Sequence, residues 1–161
     1  SVDELYVRCV RSGPASGLQG PRYSRNTSVT DQPVVADNVT GLSWQGCSAG
    51  LTGNACAGGT DTSFEWDNAL GYCEGLDWGG HQDWRLPNAR EIRSILNLRT
   101  TSSPVIDTTA FPPTNSGSYW SSSSVANGIG SAWLFYSSNG AMEGREKTGW
   151  YIRARCVRTG S

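Results

Sequence analysis

The sequence is poor in the residues on which most enzyme and nucleic-acid chemistry depends. Among 161 residues there is one histidine, His81, and one lysine, Lys147, and charged residues make up only 17% of the chain. A serine or cysteine nucleophile would have only His81 as its general base, and no GxSxG motif is present. We therefore expect a non-catalytic protein, and the lack of a dense basic run argues against nucleic-acid binding.

Long hydrophobic runs are also missing. The apolar stretches extend over only a few residues, so we expect neither a membrane-inserted segment nor a signal sequence within this chain. Glycine is abundant, with 20 residues, and there are seven tryptophans. This composition predicts one loop-rich, β-containing domain with an aromatic core.

Cysteines are few, and their spacing favours disulfides over metal binding. The five cysteines are Cys9, Cys47, Cys56, Cys73 and Cys156. None forms a CxxC pair, and one histidine does not complete a zinc site. Disulfides imply an oxidising compartment, so we expect an extracellular, cell-surface or periplasmic location. Cys47 and Cys56 bracket a glycine-rich loop and are expected to pair.

Two short helices are predicted from capping residues and apolar periodicity. Thr62 is the expected N-cap of the first, with Glu65 completing a capping box. Apolar residues recur at helical spacing from Trp66 onwards, which places Cys73 on the side that faces the core. A second capping box at Asn88 predicts the start of the other helix.

The remaining regular structure is predicted to be β. Residues 34–44 are expected to form two strands joined by a turn at Asp37 and Asn38. Asn139-Gly140 indicates a type I′ hairpin turn with a positive φ at Gly140.

The last predicted strand alternates in polarity. Ile152, Ala154 and Cys156 would face one side, and the intervening arginines the other. Cys156 therefore shares the inward face and is the expected disulfide partner of Cys73.

Five motifs occur in an order that resembles a known family. They are VTGLSWQ at 39–45, a Trp66-to-Cys73 helix, DWRLPN at 83–88, YWSSS at 119–123 and RCVR at 155–158. Over residues 34–159 the chain is similar to the Lcl C-terminal domain family of bacterial surface proteins. The resemblance implies a C-type-lectin-like α+β fold related to formylglycine-generating enzymes, with two helices on a small, twisted, mainly antiparallel sheet and long Gly/Ser-rich loops. It also implies the Cys73–Cys156 disulfide.

The beginning of the chain repeats its end, since RCVRSG at 8–13 is echoed by RCVRTG at 155–160. We expect residues 1–13 to be the tail strand of a preceding tandem repeat, residues 14–33 a linker, and residues 34–161 the Lcl C-terminal-like domain. Cys9 would then be unpaired. The alternative is that residues 6–13 form a native first strand of this domain.

The expected function is ligand recognition or adhesion through the loops between about 115 and 150, because binding residues concentrate in loops on a rigid scaffold. The ligand would be a glycan or protein on a cell surface. The candidate binding residues are Trp78, Asn127, Asn139, Arg145, Trp150, Arg153 and Arg155. Trp78 and Trp150 lie in glycine-rich surroundings and are therefore expected to be exposed platforms. One alternative is a structural or oligomerisation module, such as a homotrimer, without a small ligand. A more distant one is an enzyme of the formylglycine-generating type.

No cofactor is predicted, although calcium is to be considered for a lectin-like protein. Leu86-Pro87-Asn88 has leucine where calcium-dependent lectins carry a carboxylate or amide. Calcium needs several converging oxygen ligands. The side chains to be tested for such convergence are Asp61, Asp107, Asn127 and Glu143.

Overall fold

The fold is seen in a computed structural model, which describes residues 20–97, 100–112 and 117–160. The predicted repeat tail, including Cys9, lies outside the described residues. The elements, in chain order, are β1 (Tyr23–Asn26), β2 (Val34–Asp37), β3 (Leu42–Gln45), β4 (Leu51–Thr52), β5 (Gly58–Gly59), β6 (Ser63–Phe64), α1 (Trp66–Glu74), α2 (Ala89–Ser94), β7 (Ser118–Val125), β8 (Gly128–Tyr136), β9 (Met142–Glu146), β10 (Ile152–Arg153) and β11 (Val157–Thr159). The prediction of a small α+β domain is thus confirmed.

The strands form two main sheets and a small hairpin. One sheet has the order β1-β2-β3-β11, the second has the order β6-β10-β7-β8-β9, and β4 pairs with β5. Neighbouring strands are antiparallel except for β10 and β7. β1 lies within the segment that the sequence suggested as a linker, and it pairs with β2 along its whole length. The four residues of β1, Tyr23–Asn26, do not alternate between apolar and polar side chains, so the sequence gives no local signal for this strand.

The five-stranded sheet has apolar packing on both faces. Leu134 of β8 belongs to the core on the α1 side, and the next residue, Phe135, belongs to the core on the α2 side. This division follows from the alternation of side chains along a strand. The predicted pair of strands over residues 34–44 is confirmed by β2 and β3.

The two helices begin differently. The capping box of α2 is formed as predicted: the Asn88 side chain accepts hydrogen bonds from two helix N–H groups, and Glu91 accepts one from the Asn88 N–H. The predicted capping box of α1 is wrong. That helix starts at Trp66, and its N-cap Glu65 makes no side-chain capping bond. The Glu65 carboxylate instead accepts a hydrogen bond of 2.7 Å from the Gly149 N–H.

The hairpin between β8 and β9 is confirmed, but its turn is not the predicted type. Gly140 has a φ of 75°, as expected, whereas Asn139 is not in the left-handed region that a type I′ turn requires. The carbonyl of Tyr136 accepts from the Gly140 N–H, and the Tyr136 N–H donates to Ala141. The connection is therefore a four-residue loop, Ser137 to Gly140.

The single alternating strand predicted at the end of the chain is two short strands in different sheets. β10 lies between β6 and β7, and β11 pairs with β3. Between them the chain crosses from one sheet to the other, with the Ala154 and Cys156 carbonyls accepting from Ala49 and Gln45. The strict alternation of faces consequently fails after Arg153.

Both predicted disulfides are formed. Cys47 pairs with Cys56, and Cys73 of α1 pairs with Cys156 at the crossing between the sheets. The four cysteines are at most 1% exposed and belong to the core on the α1 side. Neither described helix has the length and apolar character needed to cross a bilayer.

Candidate functional site

One large, exposed aromatic pair distinguishes the surface of this protein. Trp150 is 45% exposed and the adjacent Tyr151 is 71% exposed, whereas four of the seven tryptophans are at most 5% exposed. The four buried tryptophans are Trp44, Trp78, Trp84 and Trp120. Contiguous exposed apolar side chains mark interaction sites more often than scattered ones do.

The bend that carries Trp150 is held by hydrogen bonds on two sides. The Lys147 N–H donates to the Gly130 carbonyl of β8 at 2.8 Å, and the Lys147 carbonyl accepts from the Trp66 N–H at 3.1 Å. Gly149 has a φ of 75° and donates its N–H to Glu65 at the start of α1. The exposed aromatics are thus presented by an anchored connection between β9 and β10.

Two basic side chains lie on aromatic rings in the same region. The Arg145 guanidinium carbon is 4.6 Å from the centre of the Trp150 ring, and the Lys147 ammonium is 3.9 Å from the centre of the Trp66 ring. Cation–π contacts of this kind are favourable at surfaces and order both partners. We refer to Trp66, Arg145, Lys147, Trp150 and Tyr151 as the aromatic–basic surface.

Arg145 is also oriented by its own strand. It forms an ion pair of 2.9 Å with Glu143, whose carboxylate accepts a hydrogen bond from the Tyr136 hydroxyl. Interaction with the Tyr136 side chain raises the pKa of Arg145, so its charge is maintained. Lys147 has a different environment: its ammonium donates to the Ser124 hydroxyl at 2.8 Å, and none of the ion pairs among the described residues includes it.

Arg153 is half-buried and internally paired. Its Nε donates to Asp61 Oδ2 at 2.6 Å, and its guanidinium lies so close to Gly117 that a Cβ there would be 2.1 Å from Nη1. The second Asp61 oxygen, Oδ1, is buried and accepts no hydrogen bond within the described structure. Arg153 is therefore held beside the sheet by a carboxylate and a glycine, with part of its side chain left accessible.

Arg155 is not available to a ligand, which corrects the prediction. It is 1% exposed, and it donates to the Gln45 carbonyl at 2.9 Å and to the Ser48 hydroxyl at 3.1 Å. Its guanidinium lies over the rings of Phe111 and Tyr119. Burial lowers the pKa of this group. Arg155 is a structural residue, and it is buried because the chain leaves β10 and crosses between the sheets at this point.

Trp78 is also buried, so its prediction as an exposed platform is wrong. It is 5% exposed, and its indole N–H donates to the Pro33 carbonyl at 2.8 Å. The glycine beside it permits close packing: a Cβ on Gly79 would be 2.3 Å from a methyl group of Val34. Glycine-rich surroundings here indicate close approach of two chain segments, and not exposure.

Asn127 and Asn139 are exposed but lie at opposite ends of β8. Asn127 is in the turn that precedes β8, and Asn139 follows its last residue. A strand of this length spans roughly 25–30 Å, so the two amides do not share one site. Asn127 is at the end of β8 next to Lys147, whereas the Asn139 side chain accepts a hydrogen bond from Ala141 in its own turn.

Three of the four side chains considered for calcium, Asp61, Asp107 and Glu143, are engaged separately. Asp61 and Glu143 each pair with an arginine, and Asp107 accepts hydrogen bonds from the N–H groups of Thr109 and Ala110. In the described ranges, no three acidic, histidine or cysteine side chains are arranged to hold a metal ion.

A cavity of about 650 Å³ lies between β1, the end of α2 and residues 107–110. Tyr23 lines it, and its hydroxyl is buried without a hydrogen bond, so that burial raises the pKa of Tyr23 to about 12. The neighbouring arginines serve the fold: Arg22 pairs with buried Asp37, and Arg25 donates to main-chain carbonyls, including that of Ala110. These contacts fix β1 against the domain and account for the two arginines of the cavity.

Sequence reasoning identified Trp150 and Arg145 but missed other members of the aromatic–basic surface. Tyr151 is not among the residues that the sequence predicts to bind a ligand, and the helical periodicity predicts that Trp66 faces the core. The signal that was available is the turn glycine followed directly by two aromatic residues, Gly149-Trp150-Tyr151. The position of Lys147 above Trp66 depends on the tertiary contact between α1 and the bend.

The comparisons with known proteins agree with the motif reading. The family model described as the Lcl C-terminal domain matches residues 33–158. No curated protein matches the chain.

Proposed function

Because the chain belongs to the Lcl C-terminal domain family, we propose that it is a non-catalytic binding or adhesion module of a secreted or surface-exposed bacterial protein. It recognises a glycan or a protein on a cell surface through the aromatic–basic surface. The observation that carries this proposal is the exposure of Trp150 and Tyr151, at 45% and 71%. The two buried disulfides support an oxidising, extracellular or periplasmic location.

We also infer a C-type-lectin-like fold. Two short helices beside small, mainly antiparallel sheets support it, as does the Cys73–Cys156 bridge that the family resemblance implies.

The residue types of this surface suit recognition. Tryptophan, tyrosine and arginine dominate the energetic centres of binding interfaces. Arg145 is already stacked on Trp150 and paired with Glu143, so binding would cost little additional side-chain entropy. The flat face of Tyr151 would accept a sugar ring or a peptide side chain, and Lys147 would interact with a carboxylate or sulfate of the ligand.

The proposal is tested by glycan arrays and by binding to intact bacterial and host cells, using the wild-type chain and a Trp150→Ala variant. Loss of a central aromatic contact should weaken binding about thirty-fold. The melting temperature should change little, because Trp150 belongs to neither hydrophobic core. Val39→Ala is a matched control, since Val39 is 65% exposed in the turn between β2 and β3.

Two charge-matched variants distinguish a specific contact of Arg145 from nonspecific electrostatic attraction. Arg145→Gln and Arg90→Gln each remove one positive charge, and Arg90 is exposed on α2. Only Arg145→Gln should reduce binding strongly. Equal losses in both variants, or full binding by Trp150→Ala, would contradict the proposed surface.

A second candidate is a structural or oligomerisation module without a small ligand. The outer edge of β9, with which no other strand of the described residues pairs, favours it. Concentration-dependent association together with a blank array would support this candidate over ligand recognition. The formylglycine-generating type of enzyme is not proposed. Similar enzymes use cysteines near the end of their fold, and the cysteine at that place in this chain, Cys156, is bonded to Cys73.

A further inference from the structure

β9 is the outermost strand of the five-stranded sheet, and in the described part of the chain nothing pairs with its outer side. The direction of its main-chain groups follows from the register. Just before β9 the Ala141 carbonyl accepts a hydrogen bond from Tyr136 of β8, and just after β9 the Lys147 N–H donates to Gly130 of β8. Hydrogen-bonded positions alternate in antiparallel pairs, so the N–H and C=O groups of Met142, Gly144 and Glu146 point away from β8.

The edge formed by β9 carries charged side chains of both signs, but it lacks two other features that commonly prevent strand pairing. The β8–β9 register is continuous over its five residue pairs, whereas that of β7–β8 contains irregularities. β9 contains no proline, and the lysine that follows it is turned onto Trp66. An exposed, regular edge is a template for a further strand.

The charges of β9 are complementary to those of a second copy. Glu143 and Arg145 lie on one face of the strand, on either side of Gly144. We propose that β9 pairs antiparallel with β9 of a second copy of this chain, around a twofold axis at Gly144. Each Glu143 then lies opposite Arg145 of the other copy, and the outward main-chain groups of all three positions find partners.

The same charges select the register. A shift of the pairing by two residues in one direction places Glu143 opposite Glu143 of the other copy. A shift by two residues in the other direction places Arg145 opposite Arg145 of the other copy. Like charges directly opposite each other are unfavourable, and opposite charges contribute to pairing. Only the arrangement centred on Gly144 pairs both charges favourably, and such a closed twofold contact limits assembly to a dimer.

This inference does not depend on ligand binding, but it affects the aromatic–basic surface. A twofold axis perpendicular to the sheet keeps each face of β9 on the same side in both copies. Arg145 and its stacking partner Trp150 would therefore occur twice on one face of the dimer.

Analytical ultracentrifugation of the wild-type chain over a wide concentration range tests the pairing. We expect reversible conversion from monomer to dimer. Glu143→Arg should weaken self-association at least about ten-fold, because it creates two repulsive pairs. Glu143→Arg combined with Arg145→Glu should restore association. Glu74→Arg changes the net charge equally on an exposed position of α1 and should have no effect.

Glu146→Pro tests the main-chain contact independently of charge. It removes an N–H that points away from β8, so the β8–β9 hydrogen bonds remain, and melting curves check that the fold is intact. Dimer loss in this variant supports the inference. A wild type that stays monomeric, unchanged association in Glu146→Pro, or growth beyond the dimer would overturn it. Because Glu146→Pro retains Trp150 and Tyr151, its ligand binding shows separately whether the proposed function holds.

Discussion

Replacing both Cys73 and Cys156 with alanine should remove about 4.5 kcal/mol of stability. The bridge joins residues 83 positions apart and therefore restricts the unfolded chain strongly. The same chain-entropy relation gives about 2.6 kcal/mol for Cys47–Cys56, which spans a separation of only 9. The difference of about 2 kcal/mol between the two variants is the quantity to measure.

Urea unfolding followed by tryptophan fluorescence and circular dichroism gives both free energies. Alanine is preferred to serine because these positions are buried and a hydroxyl there would lack a partner. In thermal unfolding, a loss of this size for Cys73 and Cys156 corresponds to a decrease of roughly 10–15 °C in melting temperature. Removal of sulfur leaves a small cavity in both variants, so this contribution largely cancels in the comparison.

The reasoning is refuted if the Cys73/Cys156 variant is as stable as the Cys47/Cys56 variant. Peptide mapping of the unreduced protein provides the accompanying control, since both bridges must be present in the starting material. Equal m-values for the two variants would show that they unfold to similarly exposed states.

Three other predictions concern residues of the fold. Arg155→Ala should reduce stability by about 3–5 kcal/mol in urea unfolding, because it leaves a cavity and a buried carbonyl without its donor. Arg153→Ala removes a half-buried ion pair with Asp61 and should cost about 1–2 kcal/mol. Hydrogen bonds from Arg85 hold the pKa of Glu91 below its usual value. Glu91 therefore adds stability above about pH 4.3, and this stability is lost as the pH falls through the folded pKa. In a plot of the urea midpoint against pH, Glu91→Gln should thus show a smaller decrease at acidic pH than the wild type. Gly59→Ala should lower the melting temperature, since Gly59 has a φ of 77° and a Cβ there would lie 2.1 Å from the Gly50 carbonyl oxygen. Gly71→Ala in α1 should raise it, because a Cβ at Gly71 would contact no other atom and alanine favours the helix.

Features determined by neighbouring residues could be predicted from the sequence. The α2 capping box depends on Asn88 and a glutamate three positions later, and both strands of residues 34–44 follow from their apolar residues and turn. The Cys73–Cys156 pairing could be deduced because helical periodicity places Cys73 on the inward face of α1. The pairing is correct although Cys156 lies between β10 and β11 and not within a single strand. The positive φ of Gly140 likewise follows from glycine in a hairpin loop.

Features that depend on distant contacts could not be predicted. Alternation placed Arg155 on an outer face, since nothing in the local sequence shows that the strand ends at Arg153 and that the chain then crosses between sheets. Trp78 was expected to be exposed because glycines surround it, although those glycines permit close packing against Val34. β1 is held by Arg22 and Arg25 reaching across to other segments, and no local pattern predicts such contacts.

The crossing of the chain after β10 has a consequence for the order in which the domain is completed. β10 is the only described strand that joins β6 to β7, β11 completes the other sheet, and Cys156 between them closes the disulfide to α1. Neither sheet can therefore be completed, and the bridge to α1 cannot close, until residues 152–159 have joined the rest of the domain. Both closures join segments that are far apart in the sequence, so we expect the described domain to become compact late in its folding.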